Sequence, residues 1–307
     1  MPPRQSFPSH PRVRDAAALG FTSSLGPFAA NGIMPGFHAM AEDYGVSFVA
    51  VQQSLTIYLF TYAFFSLVAG SFSDSYGRRP TFIGGMLLFA AASVGAAFSQ
   101  SLWALYGWRL LQGIGAAVGQ VVTQAIVRDN WSGPEAANVN GMIAFFFAAG
   151  PALAPVVGGQ IVMYFGWHAV FFFLMVYSLS IAFFIYFRIP ETLNAADRSA
   201  FNLSVICSNY AKGLTHGAFM TGVVAHGILF MGGILYSAGS ADFVIKVMGL
   251  DVDEFGWLSI PLIFASFAGA WGSIRLAKRL RPKRMIVIVS LLTLAGSVLA
   301  AVFDYLT

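Results

Sequence analysis

Charged residues are scarce in this 307-residue chain: Asp, Glu, Lys and Arg together make up 10% of it, against roughly 25% in an ordinary soluble domain. So few charges cannot cover the surface of a folded soluble protein of this length, which excludes a water-soluble enzyme or binding module. Cysteine occurs once, as Cys207, ruling out an internal disulfide framework and any cysteine-based zinc or iron–sulfur site within one chain. There is no His-Glu-x-x-His, no pair of carboxylates inside an apolar run and no thiol beside a base. The groups that metal-dependent or nucleophilic catalysis needs are therefore missing, and the sequence reads as a non-enzyme with no metal and no bound cofactor. Alternating segments of ~10 residues, the mark of a membrane-spanning barrel, are absent as well.

What the chain has in abundance is apolar length. Hydrophobic residues account for 57% of it and Phe alone occurs 30 times, with a mean hydropathy of +0.72. Nine apolar stretches lie at 16–38, 48–70, 81–99, 102–127, 136–163, 168–188, 213–237, 255–275 and 285–306, each near the ~20 residues a helix needs to cross a bilayer core. The first is longer than the apolar run of a signal peptide, about 7–15 residues, and eight more follow, so it reads as a span. The expected fold is an all-α integral membrane protein, a bundle of nine spans.

The basic residues orient it. With the N-terminus in the cytoplasm, 15 of the 17 Lys and Arg fall inside; Lys246 is outside and Arg109 lies within a span. Positive loops stay inside, so inversion is untenable. The basic cluster over 275–284 reads as a topology signal touching anionic headgroups, with no nucleic-acid partner. The segments are then a cytoplasmic tail (1–15), a six-helix bundle (16–188), a cytoplasmic linker loop (189–212) and an incomplete bundle of three helices (213–307). Gly77-Arg78-Arg79-Pro80 and Arg281-Pro282-Lys283-Arg284 occupy matching loops of the two blocks, which suggests an internal repeat.

A charge inside a membrane helix is costly and needs a reason. At 100° per residue Arg109, Gln112, Gln120, Thr123 and Gln124 form one stripe on the fourth span, which must face other helices or a wet cavity. The alternative is an arginine that snorkels to the surface or only ties helices together. Gly115-x-x-x-Gly119 offers a close-packing surface on the same span. The run Gly113–Val118 fails as a dinucleotide loop, because no strand precedes it and Val118 stands where the third glycine belongs. Ser24, Asn31 and His38 share a face of the first span, and Ser54, Tyr58, Thr61 and Tyr62 one of the second. These stripes describe a shared central pathway or, alternatively, interhelical hydrogen bonds alone. In the fifth span Gly150, Pro151, Pro155, Gly158 and Gly159 allow a bend and a close neighbour. His226, in the seventh, is either a proton carrier or a neutral group bonded to a neighbouring helix. No Asp or Glu lies in the middle of a span.

These residues resemble the major facilitator superfamily, and within it the drug:proton antiporters of the Bcr/CflA-like branch. Gly70-x-x-x-Asp74-x-x-Gly77-Arg78-Arg79-Pro80 is similar to the family's loop motif, Arg109-x-x-Gln112-Gly113-x-Gly115-Ala116-Ala117 to its fourth-helix motif, and Gly150–Gly159 to its antiporter motif. Pro190-Glu191-Thr192-Leu193 fits the same branch. The resemblance implies twelve spans, of which this chain carries nine and so reads as truncated, with a monomeric full-length parent. It implies alternating access, and multidrug efflux across the bacterial inner membrane powered by the proton gradient without a cofactor. Gly70, Asp74, Gly77, Arg78, Arg79 and Arg128 would gate the cytoplasmic end. Arg109, Gln112, Gln120, Asn31, Tyr58 and His226 would line the substrate and coupling pathway. Members often carry an acid where this chain has Asn31, so the usual proton carrier is missing. With Arg109 in the pathway and no buried acid, an organic cation meets uncompensated repulsion; the expected substrate is a neutral or weakly anionic small molecule. Uptake or facilitated passage of a small metabolite, or a non-transporting fragment, are the alternatives.

Overall fold

A computed structural model describes residues 13–217 and shorter stretches between 219 and 298. The expected spans at 213–237, 255–275 and 285–306 are described only in part, and His226 lies outside the described residues. The regular structure is helical throughout the described residues, as the composition requires. The helices are α1 (Val13–Asn31), α2 (Phe37–Tyr44), α3 (Phe48–Tyr76), α4 (Arg78–Ala97), α5 (Leu102–Asn130), α6 (Gly133–Phe165), α7 (Trp167–Arg188) and α8 (Leu203–Thr215). Starts are written locally: Ser47 and Ser101 stand before α3 and α5, and each hydroxyl accepts from the amide three residues on, Ala50 and Ala104, at 3.3 Å.

Helices α3, α4, α5 and α7 are long and apolar enough to cross a membrane, and α6 is a fifth when counted across its bend. The first expected span differs. Rather than one helix over 16–38, α1 ends at Asn31, a 3-10 turn follows at Met34–Gly36, and α2 resumes. Gly32, Pro35 and Gly36 cluster there, and Pro35 cannot donate to a continuing helix. Thr22, Ser23, Ser24 and Asn31 also make α1 less apolar than its neighbours. It tolerates them because it meets protein rather than lipid: Leu19, Leu25 and Ala29 are all but inaccessible.

Helix α1 packs along α6 and also touches α5 and α7; α5 packs between α3 and α4, and α4 lies on α7. The core beneath is aromatic and aliphatic, with Phe82, Met86, Phe89, Leu105, Phe171 and Leu174 fully buried. The outer faces are apolar too. Phe60 is 72% exposed and Phe183 66%, an arrangement that only lipid or further helices can satisfy.

Close approach of the helices is bought with glycine. A Cβ on Gly115 would stand 2.6 Å from the Gly85 carbonyl oxygen of α4. One on Gly158 of α6 would stand 1.9 Å from the Gly32 carbonyl oxygen, so backbone meets backbone there and no side chain fits. Helix α6 bends by 41° between Glu135–Pro151 and Leu153–Phe165, where Pro151 removes a backbone donor.

Candidate functional site

The middle of the bundle holds a cation. Arg109 of α5 is wholly inaccessible. Its Nη1 donates to Gln112 Oε1 at 2.9 Å and to the Ala29 carbonyl of α1 at 3.4 Å. The guanidinium lies over the Tyr58 ring of α3, 4.3 Å from its centre, a cation–π contact strengthened by the absence of water. Gln112 Nε2 passes the chain on to Ser93 Oγ of α4 at 2.8 Å, and Ser93 donates to the Phe89 carbonyl. Tyr58 donates to the Gly26 carbonyl of α1 at 2.9 Å. Four helices thus converge on one guanidinium. Among the described residues no carboxylate pairs with it, and its Nε and Nη2 have no hydrogen-bond partner.

The other expected pathway residues are placed differently. Thr123 is buried but donates to its own helix, to the Gly119 carbonyl. Gln120 is half-buried, with its Oε1 unpartnered. Asn31 is also half-buried, and its amide donates to the Pro27 carbonyl at 2.8 Å, within α1. Ser24 meets the Tyr177 hydroxyl of α7 at 2.7 Å, which in turn donates to the Phe21 carbonyl; this is an interhelical tie. His38 is exposed beside the ring of Phe48, 4.6 Å away. Of the named polar residues, the structure brings Arg109, Gln112 and Tyr58 together. An open apolar groove lined by Thr56, Phe60, Phe64, Trp103 and Tyr106 runs between α3 and α5, and Arg109 does not line it.

The second constellation ties helix ends together at one end of the bundle. Arg78 begins α4, its side chain 11% exposed, and its Nε donates to Asp129 Oδ2 at 3.0 Å. Its Nη1 donates to Ser73 Oγ at 2.7 Å and to the Asp74 carboxylate. The Glu191 carboxylate reaches the same point from the segment after α7. It accepts from the Arg78 amide at 2.9 Å and the Arg79 amide at 3.3 Å, so an anion caps the positive end of α4. Thr192 donates to Asp129 Oδ2 at 3.0 Å. Arg79 donates to the Tyr186 carbonyl and stacks over the Tyr186 ring at 4.8 Å.

Gly77 has a φ of +100°, and a Cβ there would stand 2.6 Å from Glu191 Oε2. Conformation and space both demand glycine. Gly70 is less constrained, with only Val121 near, at 3.6 Å. Arg128 is exposed and reaches no further than the Gln124 carbonyl at 3.5 Å; its neighbour Asp129 occupies the network instead.

Asp129 and the capping role of Glu191 went unread in the sequence. The Pro190–Leu193 motif marked the right place, but a contact across 113 residues has no local signature. The segment expected as a linker loop carries α8 and is tied to α3: Tyr210 donates to the Leu67 carbonyl at 2.7 Å, and Ser199 to the Asp74 carbonyl at 3.2 Å. Burial raises the Tyr210 phenol above its ordinary value.

The antiporter-motif residues form the α1–α6 seam. A Cβ on Gly150 would stand 3.1 Å from the Ser24 carbonyl oxygen, and one on Gly159 3.9 Å from Pro35. Pro151 marks the bend, and Pro155 lies half-buried one turn on.

Comparison with known proteins places this architecture. The sequence model for the Major Facilitator Superfamily matches residues 19–307. A bicyclomycin resistance protein homolog of Haemophilus influenzae is 31% identical over 253 residues, covering 81% of this chain and 64% of that protein. Multidrug resistance protein D of Escherichia coli is 29% identical over 261 residues, covering 83% of this chain and 64% of that protein. The chain thus spans about two thirds of the length of these curated relatives. Among solved structures, the human organic anion transporter MFSD10 aligns over 86% of this chain and 73% of its own with a TM-score of 0.58 at 20% identity. The proton:xylose symporter XylE aligns over 86% and 70% with a TM-score of 0.62 at 15% identity. At those identities the likeness shows the fold alone. Fold, motif order and relatives agree: the chain belongs to the Major Facilitator Superfamily.

Proposed function

We propose that the intact protein is a secondary active transporter that exports small amphipathic compounds by proton antiport. Two bundles rock about a midplane site and open it alternately to each side of the plasma (inner) membrane. The Arg78 end and the N-terminus face the cytoplasm, as the distribution of basic residues favours. The protein acts as a monomer in the lipid bilayer, takes its energy from the proton gradient and uses no cofactor. One observation carries the reading above the others: Arg109 is held at zero exposure among neutral partners. Such a group is too costly in a membrane bundle to be kept for packing alone.

The Arg78 network supplies the second element of such a machine. Its ion pairs are partly shielded and join the ends of three helices, and they can break and reform as the bundles rock. The drug-resistance names of the relatives favour export, and Arg109 without a nearby acid favours neutral or weakly anionic substrates. A second reading, uptake or facilitated passage of a metabolite, draws on Asn31, an amide bonded within its own helix that cannot carry a proton.

Cells making the intact protein should accumulate less bicyclomycin than cells lacking it, and the difference should vanish once an uncoupler collapses the proton gradient. Efflux that persists unchanged would remove the antiport. Metabolite counterflow indifferent to protons would favour the second reading.

A further inference from the structure

The unfilled donors of Arg109 lie on one edge. Nη1 is committed to Gln112 and Ala29, and the flat face is covered by Tyr58. What remains is Nε with Nη2. In a planar guanidinium those two nitrogens point their N–H bonds in parallel, forming the side-on fork that matches the two oxygens of a carboxylate. Structural arginines in a water-poor interior fill that fork from within the protein, because each buried donor left unmade is costly. Here none of the described residues accepts a hydrogen bond from it.

We infer that the Nε–Nη2 edge of Arg109 is a binding site for a planar two-oxygen anion, a carboxylate on an aromatic or aliphatic body, held side-on by two parallel hydrogen bonds. The inference rests on the transport reading and deepens it by naming the group that docks at mid-bundle. The bound anion supplies the countercharge that the helices withhold. Gln112, through Nη1, and Tyr58, over the face, fix the plane of the fork so that it is preorganised before the ligand arrives. A halide brings the charge without the paired oxygens, and a phosphonium cation brings neither.

The test is calorimetric titration of the full chain in detergent micelles with benzoate and with its neutral isostere benzamide. Benzoate should bind saturably and at least about tenfold more tightly than benzamide, the margin expected for one charge-assisted hydrogen bond. Arg109→Lys keeps the charge but lacks the fork, so benzoate should weaken by at least about tenfold. Where that variant does not elute as a folded species, Gln112→Glu decides. It keeps Arg109 and puts an internal anion where Gln112 Oε1 accepts from Nη1 at 2.9 Å, which should weaken benzoate by a similar factor, about tenfold.

Equal binding of benzoate and benzamide would overturn the site and mean that water alone fills the fork. So would undiminished benzoate binding in either variant. Binding needs no turnover, so the two readings fail separately. Selective benzoate binding by a protein that exports nothing would uphold the site and remove the transport reading. Export without that selectivity would do the reverse.

Discussion

Two buried arginines in one bundle are treated in opposite ways. Arg78 has its Nε and Nη1 on two carboxylates and a serine, and its amide on a third carboxylate. Arg109, deeper and wholly inaccessible, has a glutamine, a distant carbonyl and an aromatic face, with three of its N–H bonds, on Nε and Nη2, unused. Burial alone does not distinguish a structural cation from a working one. What differs is the supply of partners: Arg78 is paired with carboxylates, and Arg109 is left short. In a membrane the contrast is sharper, because water cannot make up the deficit.

Substitution by methionine, which keeps much of the volume and removes the charge, should separate the two. Arg78→Met strands Asp74 and Asp129 without their cation. It should lower unfolding stability by about 2 kcal/mol, the cost of a broken buried pair reduced by the partial exposure of both acids. A denaturation midpoint unchanged from the wild type would end the structural reading of that end. Glu191→Gln keeps a carbonyl oxygen for the α4 amides but loses the charge at the helix terminus, and should cost about 1 kcal/mol by the same measurement. Arg109→Met should leave stability within about 1 kcal/mol of the wild type or raise it, since an uncompensated buried charge is removed and the groups that lose a donor, Gln112 Oε1 and the Ala29 carbonyl, are neutral. A loss as large as that of Arg78→Met would show Arg109 to be a structural tie after all. Arg128→Ala should change stability by less than about 0.5 kcal/mol, because Arg128 stands outside the network.

The two regions also differ in how far the sequence disclosed them. Arg109 and Gln112 lie one turn apart on α5, so helical periodicity alone puts them side by side, and the cost of a charge in an apolar run draws the eye to them. Tyr58 was legible as part of a polar stripe on the second span, though not as the ring over the guanidinium. At the other end, the resemblance to the family's loop motif linked Asp74 to Arg78 across the turn between α3 and α4. It could not find Asp129 or the capping by Glu191, whose contacts depend on how separate helices pack. Arg128 was expected in the network and Asp129 was found there; a step of one residue turns a helical side chain by 100° and reverses the charge on offer. The spans over 48–188 were legible because bilayer thickness fixes apolar length. The break after Asn31 was less so, since Gly32, Pro35 and Gly36 sit inside a stretch whose hydropathy continues past them.

The most direct measurement of the proposed export is the rate at which the intact protein carrying Arg109→Ala or Arg109→Lys exports a small amphipathic compound that the wild type exports, normalised to the amount in the membrane. Both variants should export at least about tenfold more slowly than the wild type, since neither restores the fork and its charge-assisted contacts. Wild-type rates in both, at normal expression, would contradict the account and leave Arg109 as a cation that only ties helices together.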